Sequence, residues 1–186
     1  EFRRETLEIL RQPMEEHCVK LARLAGNYEF PSDFMLVAAM NPCRCGYYPD
    51  LNRCHCTKGM VEQYLKKISQ PLLDRIDICV ETKRVEYQDL IKENPHQETS
   101  AEIRKRVVAA MERQQQRFAG TNIRYNSRIP AALLTKYCRL STKQKQYMEN
   151  IYQKLELTAR SYHRILRVAR TIADMDGSDE ILTRHL

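Results

Sequence analysis

The stretch NPCRCGYYPDLNRCHC, residues 41 to 56, constrains this chain more than any other. It holds four of the seven cysteines, as one C-x-C pair, a gap of eight residues and a second C-x-C pair. It follows directly on Phe34 to Met40, the longest unbroken apolar run. Two C-x-C pairs supply four thiolates, the set a tetrahedral zinc takes, and Gly46 after Cys45 suits a tight knuckle around a metal. Cys43, Cys45, Cys54 and Cys56 are the candidate ligands, with His55 a candidate substitute for one of them. An empty reduced loop and redox or iron–sulfur chemistry are the competing readings, because C-x-C is less diagnostic than C-x-x-C. Four protein ligands close the coordination shell, so a zinc here would brace a loop and catalyse nothing.

The cysteine count is odd, which argues against a secreted disulfide framework. Cys18, Cys79 and Cys138 fall singly within apolar patterns, where buried free thiols of a reducing compartment are found. A cytoplasmic protein is the expectation. With 42% hydrophobic and 30% charged residues the chain can build a core, and disorder is not expected. No apolar run approaches the roughly 20 residues that span a bilayer, so no membrane role is expected. The opening EFRRETLEIL has neither an initiator Met nor the shape of a signal peptide, and begins mid-pattern. The expectation is therefore a piece of a longer protein.

Along the chain, residues 3 to 11 read as a helix, with Leu7 and Leu10 one turn apart. VKLARL and YEF flank Gly26 and Asn27 and predict a hairpin. The run 34 to 40, bounded by Asn41-Pro42, reads as a strand buried on both faces, as inside a parallel sheet. After the cysteine loop, MVEQYLKKI reads as helical, PLLDR as a short turn or helix, and IDICVE as a half-buried strand. Composition then turns polar, and residues 83 to 97 read as a linker. Helices are expected near 100–118, 130–138, 142–156, 158–175 and 179–186, with Ser100, Pro130 and Ser141 at the starts of the first three. The expected architecture is an α/β piece over 1–82, the linker, and an all-α piece over 98–186.

Charge is concentrated. The net charge is +7, yet Arg128 to Arg170 alone holds ten Lys or Arg against two Glu. Such a block suggests an anionic partner, nucleotide phosphate or nucleic acid, or else a solvated helical face. Within TARSYHRILRVARTIADM, Tyr162, Ile165, Leu166, Ala169, Ile172 and Ala173 form an apolar stripe at helical spacing. Arg160, Arg164 and Arg167 form a row on the opposing face, which repels itself unless something anionic faces it. Asn41 sits where ligands bind in open α/β sheets, just past the carboxyl end of a strand. Its plainer reading is a turn-forming Asn before Pro. Arg75, in LLDRID, is an exposed helix end or an arginine offered to a neighbour's phosphate.

Three segments in this order, FMLVAAMNPC-x-CGYY, SQPLLDRIDICVE and ARSYHRILRVARTIADMDGS, resemble the magnesium-chelatase-like AAA+ ATPases of the ComM/YifB type. The resemblance covers nearly the whole chain. It implies the second half of a P-loop AAA+ core carrying a β-hairpin, followed by a helical lid. EFRRETLEILRQPME resembles the helix after the family's Walker B strand, which leaves Walker A and the Walker B acids outside this chain. The resemblance assigns Asn41 to sensor 1, Arg75 to the arginine finger and Arg160 to sensor 2. The hairpin around Gly26 and Asn27 matches the pre-sensor-1 hairpin, which faces the pore of related hexamers. ATP with Mg²⁺, a homo-hexamer, and DNA as the substrate of branch migration in transformation are the implied cofactor, assembly and partner. The family does not carry the four cysteines throughout, so zinc would be an accessory. This chain alone is expected to turn over no ATP. The ATPase subunit of a true magnesium chelatase, a non-enzymatic zinc module binding DNA, and a protein adaptor are the alternatives.

Overall fold

Contacts in the computed structural model divide the chain into two units, Glu1–Cys79 and Val80–Leu186. Described are residues 2–82, 85, 87–91 and 98–186. In the first unit, α1 (Arg4–Ile9) and α2 (Arg11–Glu16) follow one another through Leu10. α2 stops at His17, whose left-handed backbone (φ 57) cannot continue it. β1 (Cys18–Arg23) and β2 (Gly26–Pro31) then pair antiparallel, with Cys18 opposite Pro31 and Arg23 opposite Gly26.

The predicted hairpin is thus present, but its turn residues are Leu24 and Ala25 rather than Gly26 and Asn27. Neither takes a positive φ, so the turn is not of a primed type. Gly26 follows at φ 144 and takes the step that an L side chain resists. On one side of the ribbon Val19 and Leu21 lie opposite Phe30 and Tyr28. Leu21, Tyr28 and Phe30 are exposed.

Residues 34 to 40 do not form the expected buried strand. They carry no strand pairing, and Met35 and Val37 are 85% and 81% exposed. IDICVE likewise forms no strand, and Ile78 and Val80 are exposed. The reason is physical: a strand exists only through hydrogen bonds to a neighbour, and no described residue supplies one. The hairpin is the only sheet among the described residues. With its short helices it is compatible with part of an α/β core. Cys79 is exposed, contrary to expectation, whereas Cys18 and Cys138 are buried. Burial raises the Cys138 thiol to about 11, which makes it unreactive.

The predicted helices past the cysteine loop are present. α3 (Lys58–Leu65) is capped by Thr57, which accepts the Met60 N–H, and α4 (Gln70–Leu73) by Ser69, which accepts the Leu72 N–H. Of the predicted linker, residues 83, 84, 86 and 92–97 lie outside those described, and α5 (Tyr87–Ile91) occupies part of the rest.

The second unit is helical. α6 (Ser100–Arg117) is capped by Thr99, not Ser100, in a reciprocal box with Glu102. After a 3₁₀ turn at Asn126–Arg128, the helix expected at 130–138 is broken into a 3₁₀ turn at Ala131–Leu133 and a single turn, α7 (Leu134–Tyr137). α8 (Thr142–Lys154) starts at a Ser141–Gln144 capping box, and α9 (Ala159–Met175) starts at Thr158. The last expected helix is only a 3₁₀ turn, Thr183–His185. Arg170 donates to the carbonyls of Ser178 and Asp179, at 2.5 and 2.7 Å, and so holds as loop the backbone a helix there would need.

Phe118, Ile129, Leu134, Cys138, Leu166, Ala169, Ala173 and Ile181 make the apolar core of this unit. The predicted stripe on α9 is turned slightly. Ile172 is exposed, and Arg170 and Asp174 are buried in its place. Asp174 is fully buried and paired with both Arg117 and Arg170. Asn126 donates to Asp174 at 2.7 Å and to Thr171 at 3.1 Å, and its N–H donates to Gln114 at 2.9 Å. One carboxylate therefore ties α6, the loop after it and α9 together. Removing it takes the carboxylate from the buried Arg170 and the part-buried Arg117, which costs about 3–5 kcal/mol. Asp174→Ala should lower the urea midpoint of the second unit accordingly, whereas a change at exposed Ile172 should shift it little.

Candidate functional site

The cysteine loop of the first unit gathers its four thiols into one cluster. All four Sγ atoms lie within 4.8 Å of one another. Cys43 to Cys45 is 3.3 Å, Cys45 to Cys54 is 3.5 Å and Cys43 to Cys54 is 3.8 Å. A zinc with bonds of about 2.3 Å sets tetrahedral sulfurs about 3.8 Å apart. A disulfide needs about 2.05 Å, so the four are free thiols in metal-ligand spacing rather than bridged pairs. His55 is exposed and is not part of the group.

Local chemistry explains the gathering. Gly46 takes φ 84 and donates its N–H to the Cys43 carbonyl at 3.1 Å, closing the turn that carries the first pair. The Asp50 carbonyl accepts the Arg53 and Cys54 N–H groups at 3.1 and 2.8 Å, which turns the second pair back. Cys56 directly precedes the Thr57 cap of α3, and Val61 of that helix packs on Cys43 and Cys54.

The four thiols differ electrostatically. Burial alone would raise the Cys43 thiol, but the N–H of Tyr48, the neighbouring thiols of Cys45 and Cys54, and the N–H of Gly46 outweigh it and lower it to about 6. Cys45 is also lowered, chiefly by the Tyr47 N–H. The Cys56 N–H favours the Cys54 thiolate, yet burial and the adjoining sulfurs push that thiol up to about 12. Cys56 is raised. Thiolates form first at the buried Cys43, and a divalent cation bound there would supply the charge needed to deprotonate the rest.

The other candidate residues are placed separately. Asn41 is exposed, two residues before Cys43, and its amide packs beside Gly46. Arg75 does not project into solvent. Its side chain is 12% exposed, one Nη pairs with Glu15 of α2 and the other with the Pro71 carbonyl. Arg160 is exposed in the first turn of α9, in the second unit. The row Arg160, Arg164 and Arg167 is not uniform: Arg167 donates twice to the Ile129 carbonyl, at 2.9 and 3.0 Å. Sequence reading missed Glu15 as the partner of Arg75. Nothing in PMEE marks one Glu for a residue sixty positions away. It also missed the Arg117–Asp174–Arg170 group, for which charge within an apolar stripe was the available signal.

Among the described residues no helix is long and apolar enough to cross a membrane. Residues 1–90 match the family model of magnesium chelatase, subunit ChlI, and residues 97–186 match that of its C-terminal region. Over all 186 residues the chain is 36% identical to the competence protein ComM of Haemophilus influenzae, 37% to YifB of Salmonella typhimurium and 38% to YifB of Escherichia coli. It spans 36% of the length of each of these relatives. With two adjoining family regions matched in order, and similarity to all three relatives over the whole of its own length, this chain belongs to the magnesium-chelatase-like family of the ComM/YifB type.

Proposed function

We propose that this chain is the sensing part of a hexameric AAA+ ATPase motor that acts on DNA, with ATP and Mg²⁺ held by a segment outside these residues. The observation that supports it most is the unbroken similarity to ComM and YifB from residue 1 to residue 186. That similarity also favours a motor of this type over the ATPase subunit of a magnesium chelatase. No G-x-x-x-x-G-K-[ST] loop occurs in the sequence, so the chain alone has nothing to cradle the β- and γ-phosphates.

Phosphoryl transfer depends mainly on positioning and on stabilising charge. In this reading the Asn41 amide orients the water that attacks the γ-phosphorus as the bond to the bridging oxygen breaks. Arg75 leaves Glu15 for the γ-phosphate of a neighbouring subunit. Arg160, at an N-terminal helix position whose dipole disfavours a cation, meets the same phosphate from the lid. Zinc held by Cys43, Cys45, Cys54 and Cys56 braces the loop behind Asn41; the sulfur spacing and the low Cys43 pKa fit a thiolate site.

A polyanionic partner is supported by the lid surface. From Arg113 to Met148 there are eight Lys or Arg and no Asp or Glu. Arg113 and Arg117 are taken by Asp179 and Asp174. Arg124, Lys136, Arg139, Lys143 and Lys145 are exposed. Nucleic acid phosphate suits such a surface, and its binding should weaken steeply with salt.

Four measurements test this reading. The isolated chain should hydrolyse ATP no faster than buffer. In the full-length protein Arg75→Ala should cut turnover by about 10³-fold, the scale of an arginine finger, with ATP affinity largely kept; near wild-type turnover removes Arg75 from that role. Arg160→Ala should impair turnover far more than Arg164→Ala or Arg167→Ala, and equal effects would return α9 to a purely structural role. Elemental analysis of protein purified under reducing conditions should give about one zinc per chain, lost in Cys43→Ser. No metal, with four thiols titrating freely without denaturant, points to an empty loop.

A further inference from the structure

Asn41 is joined to the sulfur cluster twice. Through the backbone, only Pro42 separates it from Cys43, which is completely buried in the cluster. Through space, its amide lies over Gly46: a Cβ built there would sit 3.7 Å from Asn41 Nδ2 and 3.9 Å from its Cγ. Gly46 belongs to the turn that its own N–H closes onto the Cys43 carbonyl. The Asn41 amide thus lies near the turn that carries Cys43 and Cys45.

We propose that the metal-filled cysteine knuckle is a positioning device for Asn41, so that nucleotide hydrolysis, and not nucleotide binding, depends on the metal. The proposal rests on the reading of Asn41 as the residue that orients the attacking water. Metal bonds to Cys43 and Cys45 fix the turn between them, and the turn fixes the amide. Without the metal the turn keeps its backbone hydrogen bond and the Tyr48 N–H on the Cys43 sulfur, but only weak S–H contacts tie the first cysteine pair to the second. A displacement of about 1 Å at a positioning group costs on the order of a hundred-fold in rate. A merely structural zinc would instead change folding, nucleotide affinity and rate together.

The first test uses this 186-residue chain, with asparagine labelled by ¹⁵N and zinc content followed by elemental analysis. The Asn41 side-chain amide pair is assigned by its loss in Asn41→Ala. Withdrawing zinc with a chelator should move that pair while leaving Asn27 in the hairpin unchanged, and restoring zinc should return it. An unmoved Asn41 pair in metal-free protein overturns the proposal, and so does a change at Asn27 of the same size, which marks general unfolding of the unit. The second test uses the full-length protein. Gly46→Ala keeps all four thiols and meets Asn41 only at ordinary contact distance, but its φ of 84 strains the turn that lies between the cluster and the amide. It should retain about one zinc per chain and bind ATP within about three-fold of wild type, while kcat falls on the order of a hundred-fold. Unchanged kcat, or a parallel loss of ATP affinity, overturns it. If Asn41→Ala leaves kcat intact while the amide still follows zinc, the water-orienting role fails and the coupling stands.

Discussion

Four sulfur atoms within 4.8 Å of one another do for the first unit what an apolar core does for the second. Its cluster of buried residues is Cys43, Cys54 and Val61, with Cys45 and Cys56 packed against them. Large apolar side chains elsewhere in the unit, among them Met35, Val37, Leu51 and Ile78, are exposed. Burial on that scale does not offset the entropy of ordering a loop. Small domains meet the shortage with a metal or a disulfide. Sulfur spacing of 3.3–3.8 Å is what a metal requires and a disulfide forbids.

The cluster was legible in the sequence because both its chemistry and its closeness are local: ligand types, pair spacing and one glycine carry it. The hairpin was legible for the same reason, though which two residues turn was not, since Leu24 and Ala25 bear no turn signal. The two expected strands failed on the opposite ground. An apolar run shows that a segment would be buried in a sheet, but the sheet itself depends on neighbours that the run does not encode. In the second unit the three long helices and the Ser141 cap were readable, while the Thr99 cap, Asp174 and Arg170 were not. A charged residue on an apolar stripe looks like a boundary of the stripe until its partners, Arg117 and Asn126, are seen to come from elsewhere in the unit. Of the site residues, nothing in the chain's pattern placed Arg75 against α2.

The second unit divides its cations between two tasks. Arg117 and Arg170 hold Asp174, and Arg167 holds the Ile129 carbonyl, so they contribute architecture. Burial pulls the Arg170 guanidinium below its ordinary pKa, although Asp174 opposes this. Arg124, Lys136, Arg139, Lys143 and Lys145 stay on the surface. The formal charge of the segment therefore overstates what a partner meets, while the absence of acids between them leaves the exposed part undiluted.

The ion pair between Arg75 and Glu15 bears on how an assembly of such chains would behave. A guanidinium already matched to a carboxylate brings to a phosphate only the difference between two ionic contacts. If Arg75 has the proposed role, docking of a neighbour's nucleotide would be an exchange of partners, close to balanced, rather than a one-way gain. Exchanges of that kind reverse easily, which would suit the joints of the proposed ring. Glu15 also lies on the short helix that feeds the hairpin through His17. Competition for one arginine would then link the occupancy of a neighbour's site to the helix at the hairpin's root.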